Sequence, residues 1–292
     1  MQNASQADVY IGPAGWSYED WKGIVYPPRM PRGMHPLDVL KRYVDMVEIN
    51  STYYREPVAR YCASWAAKVL ETPRFLFTAK LGRMYTHERG AFPGEAVRRA
   101  YIDGLAPLTE AGRLAGLLVQ FPWRFRRTPE NRQWLARVAD AFQDFPLVVE
   151  FRHDSWDRPE VHDEFAARAI AFCNIDQPIF DNSLGPAQYT TAPLGYIRLH
   201  GRNKAAWFDE NANRDERYNY LYTPEELAPW RERINNMRPR VRRLFVVTNN
   251  HYRGQAVVNA LQLRAALFHE NTRFPQHLAE HYPVLLDVGT PE

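Results

Sequence analysis

Eight short runs of β-branched or apolar residues recur along the chain, each ending in polar positions. They cover residues 9–12, 46–50, 75–80, 117–121, 147–151, 171–176, 195–200 and 244–249. Each is flanked by Pro, Gly or charge, the pattern of strands buried on both faces. Between them lie segments with helical spacing, at 37–43, 60–70, 96–111, 129–142, 159–169, 224–235 and 255–269. Pro129, Pro159 and Pro224 stand near three of the starts, where proline costs a helix least. Strand alternating with helix predicts parallel βαβ units, and eight of them in about 250 residues predict one (β/α)8, TIM-barrel-like α/β domain. A doubly wound open sheet is the alternative. Holding a dinucleotide, it would carry G-x-G-x-x-G after its first strand; Gly12-Pro13-Ala14-Gly15 does not match. The expected organisation is a flexible tail over 1–8, the barrel over 9–270 and an extension over 271–292 packing on or near the barrel.

Several of these strands end in two polar residues at i and i+2, which share a face. The pairs are Glu48 and Asn50, Glu150 and Arg152, Asn174 and Asp176, Arg198 and His200, with Asn249 and His251 in the same phase after the last strand. Lys80 ends the third strand and Gln120 lies near the end of the fourth. The intervening Ile49, Phe151, Ile175 and Leu199 should face the helices, and the polar residues the barrel interior. Barrel enzymes place their chemistry at this C-terminal face. Buried unpaired charges cost several kcal/mol, so these groups need one another, water or a ligand. One reading is a self-satisfied ion-pair layer closing the mouth. The other is an active site for a small or oligomeric anionic substrate. In it Glu48, Glu150 and His200 are the catalytic candidates. Lys80, Arg152 and Arg198 hold negative charge, and Asn50, Gln120, Asp176, Asn249 and His251 complete the binding set with Trp16. His87, in the loop after the third strand, is placed over the mouth.

The 292 residues carry 37 Lys plus Arg against 34 Asp plus Glu, a formal charge of +3. That balance gives no general reason to expect nucleic acid or membrane binding. The 45% hydrophobic and 24% charged content is that of a globular chain. Cys62 and Cys173, the only cysteines, cannot build a disulfide framework or a Cys-rich zinc site. Both read as small buried apolar residues, with Cys173 facing the helices. No apolar run approaches a membrane span, and the polar start lacks a signal core, which predicts a cytoplasmic protein. The aromatic share of 13% is unusual. Trp16, Tyr18, Trp21, Tyr26, Tyr53, Tyr54, Trp123, Phe125, Trp156 and Trp207 all fall just after predicted strands, so rings should wall the polar mouth.

Ordered motifs run along the chain. Gly15-Trp16-Ser17-Tyr18, Trp21-Lys22-Gly23 and Tyr26-Pro27 open the chain, followed by Val47-Glu48-Ile49-Asn50-Ser51-Thr52-Tyr53-Tyr54. Lys80 with Thr86-His87, Leu118-Val119-Gln120-Phe121-Pro122 and Val149-Glu150-Phe151-Arg152-His153 with Ser155-Trp156 come next. Tyr196-Ile197-Arg198-Leu199-His200-Gly201-Arg202, Arg217-Tyr218 with Tyr222, and Asn249-Asn250-His251 with Gly254, Ala256 and Asn259-Ala260 complete the order. From about Val9 to Phe268 the chain resembles the YecE-like family, domain of unknown function 72. The resemblance implies a TIM-barrel-like fold of mostly bacterial cytoplasmic proteins and implies no reaction. One departure is local: the family's opening turn usually reads Gly-Thr-Ser-Gly-Trp or similar, and here Pro13 and Ala14 replace the hydroxyl residues.

The remaining motifs sort the function classes. Hydrolysis of a phosphoester or glycosidic bond fits paired carboxylates on different strands, and their separation decides the glycosidase reading. A mononuclear metal hydrolase would hold one divalent ion on Glu48, Glu150, Asp176 and His200. A non-catalytic protein binding nucleic acid or another polyanion would use Trp123-Arg124-Phe125-Arg126-Arg127 to stack on bases and hold phosphates. The basic run Arg238, Arg240, Arg242 and Arg243 precedes the eighth strand, on the opposite face. His277-Leu278-Ala279-Glu280-His281 spells H-x-x-E-H, but Pro275 and Pro283 leave barely two turns, so a polar terminal helix is expected. The long stretch 202–222 suggests a cover over the site. No cofactor follows from the sequence.

Overall fold

The computed structural model of the chain describes residues 7–207 and 216–292. Eight strands form one parallel sheet: β1 (Asp8–Pro13), β2 (Met46–Ile49), β3 (Leu76–Lys80), β4 (Leu114–Gln120), β5 (Leu147–Glu150), β6 (Ala171–Asp176), β7 (Leu194–Leu199) and β8 (Arg243–Thr248). The order β1-β8-β7-β6-β5-β4-β3-β2 makes β1 and β2 the two edges. They meet through an Ala14–Glu48 bridge, with Gly15 N donating to Glu48 O at 2.8 Å and Asp45 N to Ile11 O at 3.1 Å. The result is a nearly closed (β/α)8 barrel surrounded by helices.

The proline signals work as expected. Pro129, Pro159 and Pro224 each open a helix. Thr128 caps the first by accepting from Asn131 N, and Thr223 with Glu226 forms a capping box on the last. Strand bodies are buried on both faces because helices cover the outside, while the interior fills with side chains. At its floor Tyr10 stacks on Phe245 with centroids 4.9 Å apart.

Residues 1–6 of the expected tail lie outside the described residues; Ala7 is buried and Asp8 already belongs to β1. The C-terminal stretch forms a small parallel pair, β9 (Thr272–Phe274) with β10 (Gly289–Pro291), and buries Phe274, Leu278 and Leu285. Part of the proposed cover, 208–215, lies outside the described residues. Among the described residues no helix is long and apolar enough to cross a membrane.

Barrel closure rests on a missing side chain. A Cβ on Gly12 would stand 1.9 Å from the Met46 carbonyl oxygen of the opposite edge strand. Gly12→Ala must therefore push β1 and β2 apart. The expected loss is about 1–3 kcal/mol of stability in urea unfolding, and an unchanged midpoint would show that the seam yields freely.

Candidate functional site

The interior side chains climb the barrel in layers. Above Phe245 sits Tyr196, whose hydroxyl donates to Glu48 Oε2 at 3.0 Å. Its only proton is thereby used, so the Thr78 hydroxyl, 2.7 Å away, donates to the Tyr196 oxygen. The next layer is Arg198, 1% exposed. Its Nη2 and Nε reach the two oxygens of Glu48 at 2.7 and 3.0 Å, and its Nη1 reaches Glu150 Oε2 at 2.6 Å. One guanidinium thus bridges two carboxylates that have no exposed surface at all. Arg152 approaches from the top, with Nε 2.7 Å from Glu150 Oε1 and Nη1 donating to Gln177 Oε1 at 3.0 Å.

These contacts set the protonation states. Burial alone would raise the Glu150 carboxyl, but Arg152 and Arg198 outweigh it and hold it well below the usual carboxylate range. The two carboxylates keep Arg198 charged despite its burial. His200 is pushed down to about 3 by burial and then by Arg152. Asn249 Nδ2, at 2.9 Å, and Arg152 Nη2, at 3.4 Å, both face its Nδ1. Two donors there make Nδ1 the acceptor, so the neutral ring carries its proton on Nε2, 3.2 Å from Glu150 Oε1.

A cavity of about 420 Å³ opens above this stack. Lys80, Gln120, Arg152, Arg198, Asn50, Asn249, His251 and Trp16 line it, with Tyr18, Tyr53, Tyr54, Trp65, His35 and Tyr218. Among the described residues no carboxylate does. The Lys80 Nζ lies 4.3 Å from the centroid of the Tyr53 ring, and no described carboxylate oxygen pairs with it. Burial, and then the Arg198 charge, lower the Lys80 ammonium to about 7. His87 packs edge-on behind Tyr53 at 5.0 Å and does not line the cavity. Burial and the charge of Lys80 bring its ring down to about 4, so it is neutral near pH 7.

Of the sequence candidates, the structure brings Lys80, Arg152, Arg198, Asn50, Gln120, Asn249, His251 and Trp16 to one cavity. It places Glu48, Glu150 and His200 beneath its floor. Asp176 goes elsewhere, because the phase of β6 is the reverse of that expected. Ile175 is paired with the inward Arg198 and Cys173 with the inward Tyr196, and paired residues of parallel strands share a face. Cys173 therefore points into the barrel, its Sγ 3.9 Å from Glu150 Oε2, rather than toward the helices. Asn174 and Asp176 point outward. Asn174 binds the Tyr189 and Tyr196 backbone, and Asp176 accepts from Arg202 Nε and Nη2 at 2.9 and 2.7 Å and from Trp230 Nε1 at 2.5 Å. The inward position is taken by Gln177, which the sequence reading missed together with Tyr196 and Thr78. For Gln177 the available signal was its step of two from Ile175.

The other motifs also resolve. Phe125 is buried in a stack with Phe121, at 3.8 Å, and Trp156, at 5.3 Å, so it is no free platform for a base. Trp21, Tyr26 and Trp156 are core rather than cavity wall; Trp21 Nε1 pins the His251 carbonyl at 2.7 Å and Tyr26 OH that of Trp16 at 2.8 Å. His277 and His281 sit on a helix of six residues, Gln276–His281. Among the described residues no group of three His, Cys, Asp or Glu could hold a metal ion. The set Glu48, Glu150, Asp176 and His200 does not fit one, since Arg198 occupies both glutamates and Asp176 faces away.

Comparison with known proteins gives the relationship. The family model "Protein of unknown function DUF72" matches residues 10–282. This chain belongs to the DUF72 family. The UPF0759 protein YunF of Bacillus subtilis is 28% identical over 267 residues, covering 87% of this chain and 93% of YunF. A DUF72 crystal structure from Thermotoga maritima is 35% identical, with a TM-score of 0.77, over 89% of this chain and 99% of that one. Another, from Enterococcus faecalis, is 26% identical with a TM-score of 0.75, over 90% and 98%. The DUF72 barrel is thus shared along nearly the whole chain.

Two outcomes are expected of the stack. Arg198→Met leaves Glu48 buried without a cation and Glu150 with Arg152 alone, and should lower stability by about 3–5 kcal/mol; adding Glu48→Gln should recover part of that loss in denaturant unfolding. The folded state keeps His200 neutral down to about pH 3, whereas the unfolded ring protonates near 6.5. The unfolded chain therefore binds more protons below 6.5, and stability falls as the pH drops from 6.5 toward 3. In His200→Gln the thermal midpoint should lose part of its slope between pH 6.5 and 5, His87, His35 and His153 supplying the rest; an unaltered slope would assign it wholly to those other groups.

Proposed function

We propose that this DUF72 protein binds a small anionic organic molecule in the barrel mouth and acts on it by proton transfer through Lys80. One observation carries the reading: Lys80, Arg152 and Arg198 line a cavity whose two nearby carboxylates among the described residues are sealed below it. Three cations against Glu48 and Glu150 leave one positive charge when Lys80 is protonated. Aromatic walls suit the carbon body of a ligand, and the buried Asn50 Oδ1, which has no hydrogen-bond partner, suits a hydroxyl or amine on it. A general acid or base should titrate near working pH, as Lys80 does.

The same geometry supports ligand class more than hydrolysis. Glycoside hydrolysis needs two carboxyl groups at the sugar, and here both candidates are held under Arg198. A polyanion reading keeps Trp123 as its one half-buried ring, since Phe125 is buried. Phosphoester chemistry remains inside the proposal, as one anion class among those to be tested.

The test is thermal stabilisation by a panel of carboxylates and phosphate monoesters, each beside its neutral amide or alcohol counterpart. At least one anion should raise the midpoint and its counterpart should not. Bound anion favours the Lys80 ammonium, so affinity should fall as the pH rises through about 7, and Lys80→Met should flatten that profile. Equal stabilisation by neutral counterparts would overturn the proposal.

A further inference from the structure

We infer that Lys80 is an imine-forming residue, and that the ligand is a carbonyl compound carrying an anionic group. The inference rests on the anion reading of the mouth and adds the reacting atom. Among the groups lining the cavity, Lys80 alone can serve as an amine nucleophile. Arginine is not deprotonated in proteins, and the carboxylates and His200 lie below the floor. Its amine faces the Tyr53 ring and the cavity rather than any carboxylate of the described residues. Its main chain is held at the end of β3: the Lys80 carbonyl accepts from Thr52 Oγ1 at 2.7 Å and from Tyr101 OH at 2.9 Å. Such anchoring fixes the root of a long side chain without using its tip.

The surroundings suit the chemistry. Burial and the neighbouring Arg198 charge favour the free amine near pH 7, the state that attacks a carbonyl. Arg152 and Arg198 line the same cavity with their charges balanced by Glu48 and Glu150, and the protonated C=N itself carries the net positive charge that a carboxylate or phosphate needs. The neutral Nζ adds to the carbonyl carbon, and proton transfers give a carbinolamine. Loss of its hydroxyl as water leaves a protonated C=N bond. One water is released on formation and taken back on hydrolysis, so no oxidant or reductant is involved. The two sources of such a ligand are 2-oxo acids and phosphorylated ketones or aldehydes.

Borohydride trapping distinguishes them. The full-length protein is incubated near pH 7.5 with pyruvate, with dihydroxyacetone phosphate, or with the neutral ketone acetone, then reduced and mapped by mass spectrometry. One anionic probe should add its mass less one oxygen to the Lys80 peptide, at least about ten-fold more than acetone does. Lys22, Lys41, Lys68 and Lys204 serve as internal controls and should stay unmodified. Lys80→Arg, which keeps the charge and whose folding is checked by its thermal midpoint, should abolish the adduct. Lactate and glycerol 3-phosphate carry the same anionic groups without a carbonyl. If either binds at the mouth while neither probe is trapped on Lys80, the imine is overturned and the anion reading stands. If no anion binds, both fall. Labelling spread evenly over the lysines would also overturn the imine.

Discussion

The barrel is organised around one guanidinium. Arg198 sits where a TIM barrel ordinarily packs branched aliphatic chains, and Glu48 and Glu150 come from strands on the other side of the interior to meet it. Each ion would be costly to bury alone. Together they satisfy one another, with Tyr196 taking the remaining direction on Glu48 and Arg152 the free oxygen of Glu150. Above this plane burial and Arg152 keep His200 neutral, and among the described residues no carboxylate is left to pair with Lys80 and the charged groups lining the cavity are cations. The ion-pair layer, one of the two readings the sequence offers, lies directly beneath the cavity in which the other is proposed.

Much of this was legible beforehand. The eight strands, the proline-led helices and the inward placement of Glu48, Glu150, Arg152, Arg198 and His200 follow from period-two patterning and punctuation. What stayed hidden was the state of those residues. Sequence spacing shows that Glu48 and Glu150 point inward, but not that a single arginine lies between them. The phase of β6 was read the wrong way because Asn174 and Asp176 look like their counterparts on other strands. Polar residues on an outer face are unusual, and here they are stabilised by partners distant in sequence, Arg202 and Trp230 above all. Tyr196 and Thr78 passed as ordinary strand residues since neither carries a charge.

The aromatic excess divides in a similar way. Some rings line the cavity. Others, such as Trp21, Tyr26 and the Phe121–Phe125–Trp156 stack, hold the loops that carry Trp16, His251 and Arg152. Position just after a strand predicted proximity to the mouth; it could not separate wall from scaffold, because both occur at the same distance along the chain.

The outward turn of Asp176 has an electrostatic consequence. With that carboxylate turned away, the described residues of the mouth form a double layer, cations above and sealed anions below, with at most one charge in excess. The potential of such an arrangement decays faster with distance than that of a bare basic surface. Its pull grows as a charge descends between the rings. On the proposed anion reading, a chain of nearly neutral total charge would discriminate by sign at contact range, with less sensitivity to salt than a protein that gathers its ligands from afar.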